Sequence, residues 1–149
     1  MGILSAVRGE RVYLDTNVFV YALEEHPTYA PALGELFDAI DAGTLQAVTS
    51  ELALGEGLVK PFMDGDVRLQ IAYQDAIRKS SSLHVAAVSR QVIVEAARVR
   101  AETPSIKLPD AIHAATAQQE ACDTFLTNDV RLRQLPGLHV VLCSEAIAG

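Results

Sequence analysis

Arg11-Val12-Tyr13-Leu14-Asp15-Thr16-Asn17 joins three β-forming residues to an Asp-Thr-Asn interruption, and the apolar run Val18-Phe19-Val20-Tyr21-Ala22-Leu23 follows at once. Val12, Tyr13 and Leu14 read as a buried strand. The interruption suits a helix start, because a side-chain oxygen there accepts bonds from the free N–H groups of the first turn. In an open α/β sheet, ligands bind at the carboxyl ends of strands. Asp15 therefore has two readings, helix N-cap and metal or catalytic carboxylate. The second needs further acids at equivalent places later in the chain.

Outward from this stretch, strands and helices alternate. A helix is expected over about Thr16 to Glu24, broken by His26-Pro27. A second runs from about Thr28 to Ala42, with Ala32, Leu36, Ala39 and Ile40 on one stripe and Gly43 at its end. Leu45 to Thr49 is short and β-prone. Ser50 suits the cap of a helix that carries Leu52, Leu54, Leu58 and Val59 and stops at Pro61. The spacing then predicts a helix over about Asp64 to Ser80, a turn at Ser80-Ser81-Ser82, a strand over Leu83 to Val88 and a helix over Ser89 to Ala101. Leu108-Pro109 starts a helix of small residues reaching Glu120, with proline near the first turn where its missing N–H costs nothing. Asp123 to Thr127 is a strand, Asp129 opens a short helix, and Leu138 to Leu142 is the last strand. Strands alternating with helices imply a parallel sheet covered on both faces.

At 149 residues and 50% apolar content, the chain is expected to form one domain, residues 1–149, with one core. No stretch approaches the roughly 18 apolar residues of a membrane span, and Met1 to Val7 lacks the features of a secretion signal. These absences point to a cytoplasmic protein with no membrane partner. Cys122 and Cys143 lack metal-ligand spacing and read as reduced, buried residues. The net charge of −7 argues against nucleic-acid binding by bulk electrostatics. Nine of the twelve basic residues lie from Arg68 onward, however, so a basic rim beside an acidic pocket is compatible with the composition.

Three acids fall at helix beginnings near strand ends: Asp15, Asp110 and Asp129. The helix dipole alone favours a carboxylate in a first turn by roughly 0.3–1 kcal/mol, which accounts for any one of them. Three together are more informative, because parallel strands bring their carboxyl ends to one edge. Glu56 differs in kind. It sits mid-helix between Gly55 and Gly57, each of which costs about 1 kcal/mol of helix propensity. Either another backbone approaches closely there, or the carboxylate must reach an open pocket. Glu51 is about 140° away around the helix and cannot easily share its target.

Four such carboxylates together could not stay ionised without large cost unless a cation neutralised them. A hard divalent ion with oxygen ligands answers this, and magnesium prefers one or two carboxylates plus waters and substrate phosphate. Without these four, 15 acids face 12 bases, so a cation-loaded site is attractive to a polyanion.

The stretches YLDTNVFVYAL (Tyr13 to Leu23), TSELALGE (Thr49 to Glu56), LPDAIHAATA (Leu108 to Ala117) and FLTNDVRL (Phe125 to Leu132), with the ending Leu135-Pro136-Gly137-Leu138, resemble a PIN domain. Within that family they look most like the ribonuclease toxins of VapBC toxin–antitoxin modules. The resemblance spans nearly the whole chain and implies a three-layer α/β/α sandwich with a central, mostly parallel sheet. It assigns metal binding and catalysis to Asp15, Glu56, Asp110 and Asp129, with Asn17, Thr127 and Asn128 as polar neighbours. It implies Mg²⁺ or Mn²⁺ as cofactor, RNA as substrate, a homodimer, and a small antitoxin whose arginine reaches the carboxylates. The apolar positions from Val18 to Ala42 are expected to supply the partner surface. Pro61 to Arg100 receives no residue-level assignment. His113, one turn after Asp110, is a conceivable general acid, but a lone histidine in such a helix is more often packed or hydrogen-bonded.

Other classes fit less well. A haloacid-dehalogenase-type phosphatase would want a carboxylate where Asn17 stands. A phospho-accepting receiver domain would want an acidic pair before its acceptor strand. A non-catalytic PIN scaffold is the alternative from a different class, which metal titration separates from an enzyme.

Overall fold

The computed structural model describes residues 2–148. Five strands, β1 (Arg11–Leu14), β2 (Gln46–Ser50), β3 (Leu83–Ala86), β4 (Thr124–Thr127) and β5 (His139–Leu142), form one sheet in the order β3-β2-β1-β4-β5. Every pairing is parallel. Parallel neighbours need crossover connections, and helices supply most of them. These are α1 (Ile3–Ala6), α2 (Thr16–Leu23), α3 (Tyr29–Asp41), α4 (Glu51–Met63), α5 (Val67–Ala76), α6 (Arg90–Glu102), α7 (Leu108–Gln119) and α8 (Cys143–Ala148), with a 3-10 turn at Val130–Gln134 between β4 and β5.

Because successive strand side chains point to opposite faces, β1 feeds two cores. Val12 and Leu14 join Leu126 and Val141 against Ile3, Val18, Phe19, Leu33, Leu36 and Ile40. Tyr13 joins Val48 and Phe125 against Val92, Ala96, Val99, Ala111 and Leu132. This two-sided burial explains why the strands read as unbroken apolar runs. The layers are thus α/β/α, as the sequence implies, and the sheet is wholly parallel.

The chain leaves β1 toward β2 and β3 on one side, then returns across the sheet to β4 on the other. The carboxyl end of β1 therefore lies where the winding reverses, the place such sheets use for ligands. Asp15 is there.

Several local expectations change. Pro61 does not stop α4, which continues to Met63 with Pro61 inside it and buried. It stands in the last turn, where only one backbone bond is forgone, and its carbonyl accepts from the Asp66 N–H at 2.9 Å. The following helix ends at Ala76 rather than near Ser80. Both α1 and α8 lacked a sequence signal, being too short to show a period. The first turn of α8 is held from afar, by Asn128 Oδ1 accepting from Ser144 N–H at 2.9 Å.

The surface expectation is also corrected. Among the described residues, no large apolar side chain from Val18 to Ala42 is exposed, because α2 and α3 pack on the sheet and on α1, α4 and α5. The exposed ones include Val59, Phe62, Met63, Val67 and Ile71, on α4 and α5. Both cysteines are free and buried.

Candidate metal centre

Asp15 directly follows β1 and is buried, and its two oxygens have different duties. Oδ1 accepts from the Thr16 backbone N–H at 2.8 Å, so the N-cap reading holds. Oδ2 accepts from the Thr127 hydroxyl at 2.6 Å. That hydroxyl in turn accepts from Asp129 N–H at 3.1 Å, tying the end of β4 to the end of β1.

Glu56 comes in from α4. Its Oε1 accepts from the Thr16 hydroxyl at 2.7 Å and lies 2.7 Å from His113 Nε2. The same imidazole nitrogen lies 3.6 Å from Asp15 Oδ1. Asp15 and Glu56 are thus gathered around one histidine of α7. Burial raises the Glu56 carboxyl, but hydrogen bonds from His113 and Thr16 and the imidazolium charge outweigh it, and the net shift is downward. Burial lowers His113, while the Glu56 bond and the charges of Asp15, Glu56 and Asp110 outweigh that and raise it.

Of the two glycines beside Glu56, Gly57 has a packing reason. A Cβ there would stand 2.7 Å from the Tyr73 ring, so a side chain, not a backbone, makes the close approach. At Gly55 nothing stands within 4 Å.

Asp110 and Asp129 form the other half of the edge. Asp110 lies in the first turn of α7 and Asp129 caps the 3-10 turn, where its carboxylate accepts from Arg131 N–H at 3.0 Å. The Arg131 guanidinium grips Asp129 through two nitrogens and lies 3.6 Å from Asp110. Those bonds hold Asp129 below the usual carboxylate range. Asp110 moves the opposite way. Burial raises it first, then the charges of Asp15 and Asp129, and Arg131 and His113 offset only part. The charge of Asp15 therefore reaches Asp110, which couples the two halves.

Asn17 lies half-buried in the first turn of α2 without a side-chain hydrogen bond among the described residues. The Asn128 amide turns elsewhere, donating to Tyr21 Oη at 3.0 Å and accepting from Ser144. Of three further residues of the edge, Thr16 and Arg131 had no role in the sequence reading, and His113, weighed there as a general acid or a packed, hydrogen-bonded residue, is buried and hydrogen-bonded. Their signal was position alone, one residue after Asp15, two after Asp129 and one turn after Asp110. A cavity of about 390 Å³, lined by Leu14, Phe19, Phe37, Ala47 and Leu83 among others, includes none of the four acids.

The donor set suits a hard cation. Among the described residues the Asp110 carboxylate accepts no hydrogen bond, Arg131 stands 3.6 Å from it, and burial followed by the charges of Asp15 and Asp129 raises its pKa. Among the same residues, no three His, Cys, Asp or Glu side chains are already set as a metal cage. His113 and Arg131 stand between the carboxylates, so a metal would have to displace the guanidinium.

A parallel α/β/α sandwich with acids gathered at its carboxyl edge defines a class of protein. The PIN domain family profile matches residues 12–138, and the chain belongs to that family. Similar solved structures share the fold. The VapBC2 complex of Rickettsia felis bound to a promoter DNA fragment is 20% identical, with 89% of this chain and 98% of that one covered at a TM-score of 0.69. A toxin–antitoxin complex from Klebsiella pneumoniae is 23% identical over 89% and 97% of the two chains, at 0.64. VapC20 of Mycobacterium tuberculosis, described as a sarcin-ricin loop cleaving toxin, is 17% identical over 76% and 86%, at 0.64. No curated protein matches the sequence itself.

Proposed function

We propose that this protein is a Mg²⁺- or Mn²⁺-dependent endoribonuclease, the toxin of a toxin–antitoxin pair. The observation that supports the reading is the convergence of the acids at the edge where the sheet reverses, Asp15 and Glu56 around His113, and Asp110 and Asp129 around Arg131. Asp15, Asp110 and Asp129 would hold the ion, with Glu56 beside them as ligand, as partner of a bound water, or as base. When bound, such an ion lowers the pKa of a water and stabilises charge on a departing phosphodiester oxygen. The chain's own residues orient this arrangement. Thr127 ties Asp15 to the Asp129 loop, and Thr16 and His113 both meet Glu56 Oε1. Arg131, on the rim and about half exposed, is placed to meet a phosphate once it leaves the carboxylates.

The decisive test is cleavage of an RNA oligonucleotide with Mn²⁺, with EDTA, and by Asp110→Asn. Mn²⁺-dependent cutting that the variant abolishes while staying folded supports the reading. A folded wild type that neither binds Mn²⁺ nor cuts RNA leaves the alternative, a non-catalytic PIN scaffold.

The partner reading rests on the toxin–antitoxin complexes among the similar structures. An antitoxin arginine could pair with the carboxylates that Arg131 now holds. Val59, Phe62, Met63, Val67 and Ile71 offer apolar surface for assembly. Light scattering of the protein expressed with its neighbouring gene product should return a homodimer bound to the antitoxin. Among the described residues no helix is long and apolar enough to cross a membrane.

A further inference from the structure

We propose that His113 is a positioning residue which, anchored by Tyr13, holds the Glu56 carboxylate in one orientation at the acidic edge. The proposal deepens the nuclease reading and rests on it for its catalytic consequence.

Both ends of the imidazole are engaged. His113 is 1% exposed, with Nδ1 2.6 Å from Tyr13 Oη and Nε2 2.7 Å from Glu56 Oε1. Tyr13 is itself immobile. It is fully buried in the central strand, its ring stacked on Phe125 with centroids 5.1 Å apart and planes 10° apart. The backbone carrying His113 is equally fixed, because Ala111, Ala114, Ala115 and Ala117 are all fully buried around it. A line of rigid groups therefore runs from the centre of the sheet to the imidazole.

Glu56 is not rigid by itself. Its side chain is 35% exposed, and the glycines on either side give it no neighbouring Cβ to lean on. An unsupported glutamate at such a place keeps most of its rotamer freedom, and holding it in one orientation costs side-chain entropy. The two side-chain donors that meet it, Thr16 and His113, both use Oε1. Among the described residues Oε2 accepts no hydrogen bond and is left for a ligand.

Glu56 Oε1, a carboxylate oxygen, can only accept, so the Nε2 that faces it carries a proton whether the ring is neutral or charged. If Nδ1 accepts from the Tyr13 hydroxyl, the neutral tautomer carries its proton on Nε2. If the ring is charged, both nitrogens donate and the phenol oxygen accepts. In either state Nε2–H points at Glu56. Partners of this outer kind are worth about 10- to 100-fold in metal affinity or activity when removed.

The test uses the whole chain with Tyr13→Phe, His113→Leu and His113→Gln. It measures Mn²⁺ affinity by calorimetry, kcat on an RNA oligonucleotide, Tm, and the Glu56 carboxyl ¹³C signal of the metal-free protein. His113→Leu should lower kcat or Mn²⁺ affinity by about 10- to 100-fold and move the carboxyl signal. His113→Gln, whose amide reaches the Nε2 position, should restore much of both. Tyr13→Phe should act in the same direction more weakly, and it carries the test if the leucine variant fails to fold. A lowered Tm with unchanged kcat, Mn²⁺ affinity and carboxyl signal would make His113 a packing residue and overturn the proposal. If the wild type neither binds Mn²⁺ nor cuts RNA, the nuclease reading fails, and the carboxyl signal alone decides whether His113 positions Glu56.

Discussion

The Arg131 guanidinium stands 3.6 Å from the Asp110 carboxylate while it grips Asp129, so one cation of the chain spans two of the acids proposed to hold a metal. A divalent ion and this side chain compete for the same negative charge. Arg131→Gln should therefore tighten Mn²⁺ binding a few-fold in calorimetry and shift the metal requirement for cleavage to lower concentration. If kcat falls at saturating Mn²⁺, Arg131 also contacts the substrate. Weaker Mn²⁺ binding by the variant would reject the competition.

Asp110 gives a pH signature with a definite sign. Its folded pKa is raised, chiefly by burial and then by Asp15 and Asp129, so the native state holds this proton more tightly than the unfolded chain. The contribution to stability is full below the ordinary carboxylate pKa of 3.8 and is lost as pH rises through the raised value. At neutral pH, Asp110→Asn should melt a few degrees higher than the metal-free wild type and lose that pH dependence. Saturating Mn²⁺ should raise the wild-type Tm and not that of the variant.

Thr127→Val keeps the shape of the side chain and removes one hydroxyl. That hydroxyl donates to the buried Asp15 Oδ2 and accepts from Asp129 N–H. Leaving a buried acceptor unsatisfied costs about 1–3 kcal/mol, more for a charged group. Urea unfolding should show a loss of at least that order, with cleavage impaired because Asp15 and the Asp129 loop are no longer tied.

The two glycines beside Glu56 should respond in opposite directions. Gly55→Ala meets open space and should stabilise α4 by about 0.5–1 kcal/mol. Gly57→Ala drives a methyl to 2.7 Å from the Tyr73 ring, which is tethered by its hydroxyl to Glu24 at 2.6 Å and cannot easily yield. That should cost about 1–3 kcal/mol, the usual penalty of overpacking. Equal melting temperatures for the two variants would contradict the packing described for α4 and α5.

Burial pushes the Cys122 and Cys143 thiols up to about 12. Native protein should therefore resist alkylation at pH 8 and react only on unfolding. Between about 9 and 12 the unfolded chain ionises thiols that the native state keeps protonated, so stability falls as pH rises. Cys143→Ala should flatten that decline in thermal melts taken across the range.

The sequence by itself determined the order of the five strands and of the longer helices between them, the three layers and the places of the acids. Val12-Tyr13-Leu14 is legible as a doubly buried strand because burial demands apolar side chains on both faces. Asp15, Asp110 and Asp129 are legible because strand ends and helix caps follow local rules of hydrogen bonding. Local rules also misplaced the end of α4 at Pro61, which a buried last turn tolerates, and left α8 unseen, since its cap comes from Asn128, fifteen residues before its first residue, Cys143. Only the tertiary structure decided which groups stand between the acids. Tyr13 and His113 are 100 positions apart, and His113 and Glu56 are 57 apart. No periodicity relates such residues, because their distance is set by how α4 and α7 close over the sheet. The same holds for the apolar surface: α2 and α3 carry the more apolar pattern, yet the sheet and neighbouring helices bury it. The exposed apolar side chains include Val59, Phe62 and Met63 on α4 and Val67 and Ile71 on α5.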